Sequence, residues 1–198
     1  MRRQAAIVGL GMTELGKVYG RTPAEFALEA VSRAAADAGL TLDDIDGLLV
    51  NPGIGQEIDI RLQSTLQLRN LRLLSAIQGF GSSAGQMVQF AALAIEAGMA
   101  EVVACVFADA PLKRGSGAGA AYSGRDRPLR GVDALPAAAG LRSAAARYAL
   151  AARRHMETYG TTSEQLGAIA VAARQWAAMN PRAQLREPIT LEDHQGSR

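Results

Sequence analysis

Residues 79–107 read GFGSSAGQMVQFAALAIEAGMAEVVACVF, and this stretch decides the fold class. Gly79-Phe80-Gly81-Ser82-Ser83 is a turn. From Ala84 to Ala97 small and apolar residues (Met87, Val88, Ala91, Ala92, Leu93, Ile95) face nearly every direction, which predicts a helix buried on most sides. Gly98 closes that helix, and Glu101 to Phe107 is a continuous apolar run of the kind found in strands covered on both faces.

The same alternation continues upstream. Leu71 to Ile77 has strand-like content, Gln56 to Asn70 holds a helix, and Ile45 to Val50 is a strand stopped by Asn51-Pro52-Gly53. Thr22-Pro23-Ala24-Glu25 supplies an N-cap, a proline in the first helical turn and a capping-box acid, and Gly39 sits where a left-handed residue ends that helix. Ala5 to Leu10 reads as a short buried strand. Four strand–helix alternations are joined most economically by right-handed crossovers into a mainly parallel sheet, so the fold class is α/β.

Residues 1–110 make that layered core. From Pro111 the composition turns to Gly, Ser, Arg and Ala, with Gly115 to Gly119 flexible and Gly124 to Pro136 charged and proline-punctuated. Residues 111–198 are therefore a helical excursion, with one helix from about Ala137 to Thr158 and another from Ser163 to Met179. Thr162 and Gln165 form the capping box of the second. Asn180 to Arg198 reads as extended and irregular.

Composition excludes several classes of function. The 21 Lys and Arg are nearly balanced by 19 Asp and Glu, and only 5% of residues are aromatic, so no basic face with interleaved aromatics marks a nucleic-acid binder. The longest apolar stretch, Val102 to Ala108, is far short of the roughly 20 residues of a membrane-spanning helix. One cysteine cannot form an internal disulfide, and the start Met1-Arg2-Arg3-Gln4 carries no targeting signal, which sets a cytoplasmic expectation.

Familiar motifs fail on inspection. Gly11 to Lys17 has phosphate-loop spacing, but Val18 replaces the hydroxyl residue and the helix begins near Pro23, so backbone amides do not converge on a phosphate. Gly9-Leu10-Gly11 opens a dinucleotide fingerprint, but Glu14 stands where its third glycine belongs. His155, His194 and Cys105 are too few for a four-ligand zinc site, and no metal is expected. Cys105 lies within the apolar run, where a thiol behaves as a small hydrophobe and burial raises its pKa.

Several segments in order carry a resemblance. They are Ala5 to Gly11, Asp37-Ala38-Gly39-Leu40 leading to Asp44-Ile45-Asp46-Gly47, Gly79 to Gly98 followed by Val102-Val103, Tyr159 to Leu166, Ala178 to Ala183, and Ser197-Arg198. Together they resemble the thiolase superfamily, in its sterol-carrier or lipid-transfer branch. The resemblance implies a thiolase-like N-terminal half: a mainly parallel sheet with covering helices, plus a helical lid over the pantetheine of a coenzyme A thioester. The substrate is then an acyl-CoA, with no further cofactor, in lipid metabolism or lipid transfer.

In that family a nucleophilic cysteine starts the buried helix, and counting back from Gly98 places its position on Gly81. A glycine there cannot form an acyl-enzyme. Ser82 and Ser83 are adjacent hydroxyls without a visible general base and read first as helix caps. What remains is a pocket floor with helix N-terminal amides able to stabilise a thioester oxygen, where one such donor contributes about 3 kcal/mol. The motif match places Thr158 and Tyr159 beside the substrate channel. The substrate-binding set is thus Gly81, Ser82, Ser83, Thr158 and Tyr159, and no residue is assigned a catalytic role.

The resemblance also implies a second, C-terminal half that completes the sheet, and none of it lies within these 198 residues. Three functions follow as expectations. One is an enzyme making or breaking a carbon–carbon bond in an acyl-CoA, as an acyltransferase or an aldol-type lyase, in a homodimer beside a small zinc-ribbon and OB-fold partner subunit. Another is a non-catalytic acyl-CoA or lipid-binding module. The third is a fragment stable only against a complementary half, whose open sheet edges promote dimerisation or aggregation.

Overall fold

The computed structural model describes residues 5–117, 120, 130–141 and 143–197. Of the predicted flexible Gly115 to Gly119 segment and the charged Gly124 to Pro136 stretch, residues 118, 119 and 124–129 lie outside the described residues. The chain divides into two compact units, Met1–Gly124 and Arg125–Arg198.

The first unit is α/β. Three strands, β1 (Gly47–Asn51), β2 (Leu73–Ala76) and β3 (Val103–Phe107), form a parallel sheet in the order β2-β1-β3. β1 is central and buried at all five positions, as its unbroken apolar run requires. Register pairs Leu49 with Ser75 on one side and with Cys105 on the other. Because side chains alternate between faces, Leu48 and Val50 pack with Val106 and with Ala27, Val31 and Ala35 of α1 (Pro23–Asp37), while Leu49 and Leu73 pack with Met87, Ala91 and Ala94 of α3 (Ser83–Glu96).

Helix α1 starts as its sequence dictates. The Thr22 hydroxyl accepts from the Glu25 amide at 3.2 Å, and the Thr22 amide donates to the Glu25 carboxylate at 2.7 Å. Those bonds hold the Glu25 carboxyl below its ordinary value, the backbone contribution being the largest. A carboxylate depressed in the folded state stabilises above its unfolded pKa and loses that contribution as pH falls through the folded one. Acid melting followed by circular dichroism should therefore show helix loss below the usual glutamate range, with a shallower acid limb in Glu25→Gln. An unchanged limb in that variant would contradict the assignment.

Four expectations are corrected. Ala5 to Leu10 joins no ladder. This segment runs along α1 with Gly9 and Gly11 so close that a Cβ would meet the Ala34 and Ala30 carbonyl oxygens, tied by Leu10 N donating to Asp37 at 2.9 Å and Arg33 donating to Met12 O at 2.6 Å. Ile7 and Val8 stay exposed. The Gln56 to Asn70 helix is a single turn, α2 (Leu62–Thr65). Helix α3 is buried only on the row Ser83, Met87, Ala91, Ala94, with Val88 and Leu93 exposed, because the described residues cover just its sheet-facing side. β3 is likewise an edge strand with Cys105 and Phe107 exposed, not a strand covered on both faces.

The second unit is helical: α4 (Ala134–Ala138), α5 (Ala144–Tyr159), α6 (Ser163–Met179) and α7 (Leu191–Gln195). Helix α6 has the expected capping box. The tail expected to be irregular instead forms α7 on its own box, Thr190 with Asp193, and docks on α6 through a Ser163–His194 hydrogen bond of 3.0 Å. Gly167 permits that approach, since a Cβ there would lie 2.5 Å from the His194 ring. Among the described residues no helix is long and apolar enough to cross a membrane.

Candidate functional site

In a parallel sheet the carboxyl ends of the strands are where loops and helix N-termini converge on ligands. Here three segments meet at that edge: the turn after β2, the loop after β1 and the start of the connection after β3. Gly79 and the short 3-10 turn Phe80–Ser82 lead directly into α3.

Gly81 lies at the crest of this turn. Its backbone is not left-handed, and a Cβ built on it meets nothing within 4 Å. The neighbouring Phe80 has φ +51° and is 90% exposed. A left-handed backbone at a bulky non-glycine residue is strained, and such strain collects at sites of function. The sequence offered a signal that its reading did not use: an aromatic residue wedged between two glycines.

The serines serve the turn. Ser82 Oγ donates to Gly79 O at 2.7 Å and accepts from Gln86 Nε2 at 2.8 Å, and it makes no capping bond to the first-turn amides. Ser83, buried, accepts from Gly79 N at 2.9 Å and donates to Phe80 O at 2.8 Å. Neither has a basic partner, so nothing here activates a serine nucleophile. The expected capping role is corrected accordingly: both hydroxyls fasten the turn's carbonyls and amides, leaving the amides of the first turn of α3 free of a side-chain cap.

Sequence reasoning passed over the residues that wire the three loops together. Asn51, at the end of β1, is buried and donates to Ile77 O at 2.6 Å and to Gln78 Oε1 at 3.2 Å. Gln78 in turn donates to Gly53 O at 2.8 Å. Asp109, just beyond β3, accepts from Ile54 N at 2.6 Å and Gly55 N at 3.1 Å. Each polar residue directly follows an apolar strand run, which was the available signal.

Thr158 and Tyr159 lie in the second unit, at the end of α5. Thr158 Oγ1 donates back to Arg154 O at 2.8 Å. Tyr159 is exposed and stacks at a tilt on His155, ring centroids 4.7 Å apart, while His155 Nδ1 lies 2.9 Å from Thr161 Oγ1. A small depression of about 250 Å³ lies beside them, lined by Arg153, Met156, Glu157, Gly160 and Thr161. A larger one of about 570 Å³ holds Arg174 and Arg186, but these donate to Glu187 O and Ala178 O and fasten the end of α6.

Cys105 is corrected in one respect. It is exposed on the edge strand, yet the protein crowding its remaining sides withdraws water and pushes the thiol above its ordinary pKa. A thiol so shifted is a poor nucleophile at neutral pH. Among the described residues no group of three or more His, Cys, Asp or Glu could hold a metal ion.

No protein-family model matches the chain. It is 40% identical to a steroid side-chain-cleaving aldolase of Thermomonospora curvata and 39% identical to a 17-hydroxy-3-oxo-4-pregnene-20-carboxyl-CoA lyase of Mycobacterium tuberculosis, each across 98% of this chain and 50% and 51% of the relative. The homologues are steroid side-chain-cleaving aldolases and lyases. The chain also superposes on the Ltp2-ChsH2(DUF35) aldolase with a TM-score of 0.82 and 38% identity, over 98% of this chain and 49% of that one. An acetyl-CoA acetyltransferase of Methanothermobacter thermautotrophicus matches at 26% identity across 96% of the chain and 49% of the relative. The chain spans about half the length of the relatives it matches.

Proposed function

We propose that this chain supplies half of an aldol-type lyase that cleaves a carbon–carbon bond in the side chain of a steroid-like acyl-CoA thioester. The observation that carries the reading is Gly81: the turn that would present a nucleophile has none, while the start of α3 that it leads into carries no side-chain cap. A retro-aldol step needs no nucleophile. A base takes the β-hydroxyl proton, the Cα–Cβ bond breaks, a ketone leaves, and the electron pair rests on the thioester oxygen as an enolate until carbon is reprotonated. What the step needs is hydrogen-bond donors for that oxygen, and the uncapped N-terminus of α3 is placed to offer them.

The names of the two relatives near 40% identity favour the lyase over the acyltransferase alternative. Gly81, Ser82 and Ser83 take the thioester end. No partner of either serine is a base, so the base comes from outside the turn. The solved neighbour is named for two components, which supports a separate partner subunit, assigned here to the zinc-ribbon and OB-fold type within a homodimeric assembly. No resident cofactor enters this scheme.

The test is to combine the chain with its complementary half and the partner subunit, supply a CoA thioester bearing a tertiary β-hydroxyl, and separate the products. Ketone and shortened acyl-CoA in equal amounts are expected. Absence of turnover with every β-hydroxyacyl-CoA offered would remove the proposal, and binding without turnover would move the reading to a non-catalytic acyl-CoA module.

A further inference from the structure

We infer that Asp109 is a positioning residue that sets thioester turnover by latching the Gly53–Gly55 loop to the rim of the site; this rests on the proposed function and deepens it. The carboxylate receives three backbone amides. Oδ2 accepts from Ile54 at 2.6 Å and from Gly55 at 3.1 Å, and Oδ1 accepts from Ala110 at 2.9 Å. The fit is close enough to select the loop's residues, since a Cβ at Gly53 or Gly55 would lie 2.3 or 2.6 Å from a carboxylate oxygen of Asp109.

The latched loop follows the central strand, so it sits between the Gly79 turn and the exit of β3 at the carboxyl edge of the sheet. It is joined to the turn by one side chain: Gln78 donates to Gly53 O at 2.8 Å and immediately precedes Gly79. Buried Asn51 braces that link from both ends, accepting from Gly53 N at 3.2 Å and donating to Ile77 O at 2.6 Å. Releasing Asp109 therefore shifts the loop and, through Gln78, the turn that carries the oxygen-binding amides. Displacements of about 1 Å at such sites cost up to about a hundredfold in rate.

The molecule contains its own control. Asp46, at the opposite edge of the sheet, accepts from Glu101 N at 2.9 Å and Val102 N at 2.8 Å in the same manner. It lashes the amino ends of β1 and β3, away from the Gly79 turn.

In the assembled lyase, Asp109→Asn is expected to lower kcat for the CoA thioester about tenfold, and to speed amide exchange at Ile54 and Gly55. Asp46→Asn should lower the melting temperature and leave kcat unchanged. Gly55→Ala should reproduce the kcat effect in the wild-type background and add nothing in Asp109→Ala, because both act through one latch. An unchanged kcat in Asp109→Asn, equal kcat losses in the two aspartate variants, or additive effects of Gly55→Ala and Asp109→Ala would each overturn the inference. Wild-type assembly that neither binds nor cleaves a CoA thioester removes the proposed function along with it, whereas active wild type with an indifferent Asp109→Asn removes the inference alone.

Discussion

Gly81→Cys, made in a Cys105→Ser background, is expected to create a thiol that iodoacetamide modifies at pH 7 about tenfold or more faster than it modifies native Cys105. Both positions are reachable by reagent, so access does not decide the comparison. Thiolate fraction does. Gly81 leads into the N-terminus of a 14-residue helix whose first-turn amides lack a side-chain cap, an environment that lowers a thiol pKa. Cys105 has no such neighbour, and desolvation pushes its thiol the other way. The lower pKa also reduces intrinsic nucleophilicity, which is why the expected gain is tens of times and not thousands. The open space around Gly81 and its ordinary backbone let the side chain enter without displacing the turn. Should the new thiol react no faster than Cys105, the turn does not favour negative charge, and the enolate-stabilising role assigned to it is lost.

What could be read from the sequence follows from where the physics is local. The capping box at Thr22 and Glu25, the proline at the start of α1 and the box at Thr162 and Gln165 fixed two helix starts to the residue, because those signals need only neighbours in the chain. β1 and β2 lie within two residues of their expected bounds, since short strands announce themselves by a local apolar run. The failures are non-local. Ile7, Val8 and Leu10 have the content of a strand, but a ladder needs a second strand beside them, and the described residues provide helix α1 instead. Cys105 and Phe107 sit in an apolar run whose outer edge meets no further strand. The turn from Gly79 to Ser83 was legible, because glycine and serine punctuate the chain locally. The Asn51, Gln78 and Asp109 wiring was not, because residues 25 to 55 apart in sequence have to be folded before they can touch.

Helix α3 allows the sharpest test of which side is docked. Leu49→Ala is expected to destabilise the first unit by about 2–5 kcal/mol, while Leu93→Ser should change it by no more than about 0.5 kcal/mol. Leu49 is fully buried under Met87, Ala91 and Ala94, and the alanines have no rotamers with which to close the cavity its removal leaves. Leu93 is 56% exposed on the far side of the same helix. Set against a typical total of about 5–15 kcal/mol, the first loss is a large share of what holds the domain folded. Thermal melting by circular dichroism would separate the variants by about 10 °C or more, and equal midpoints would mean that α3 docks by a different face. The consequence reaches the site, because Ser83, which fastens the turn, lies on the docked row with Met87. A helix loosened at Leu49 holds its N-terminal amides less firmly, so the reactivity advantage of the Gly81→Cys thiol should shrink when Leu49→Ala is added and persist when Leu93→Ser is added. Persistence in both would uncouple the sheet packing from the turn and leave the hydroxyl network of Ser82 and Ser83 as its sole support.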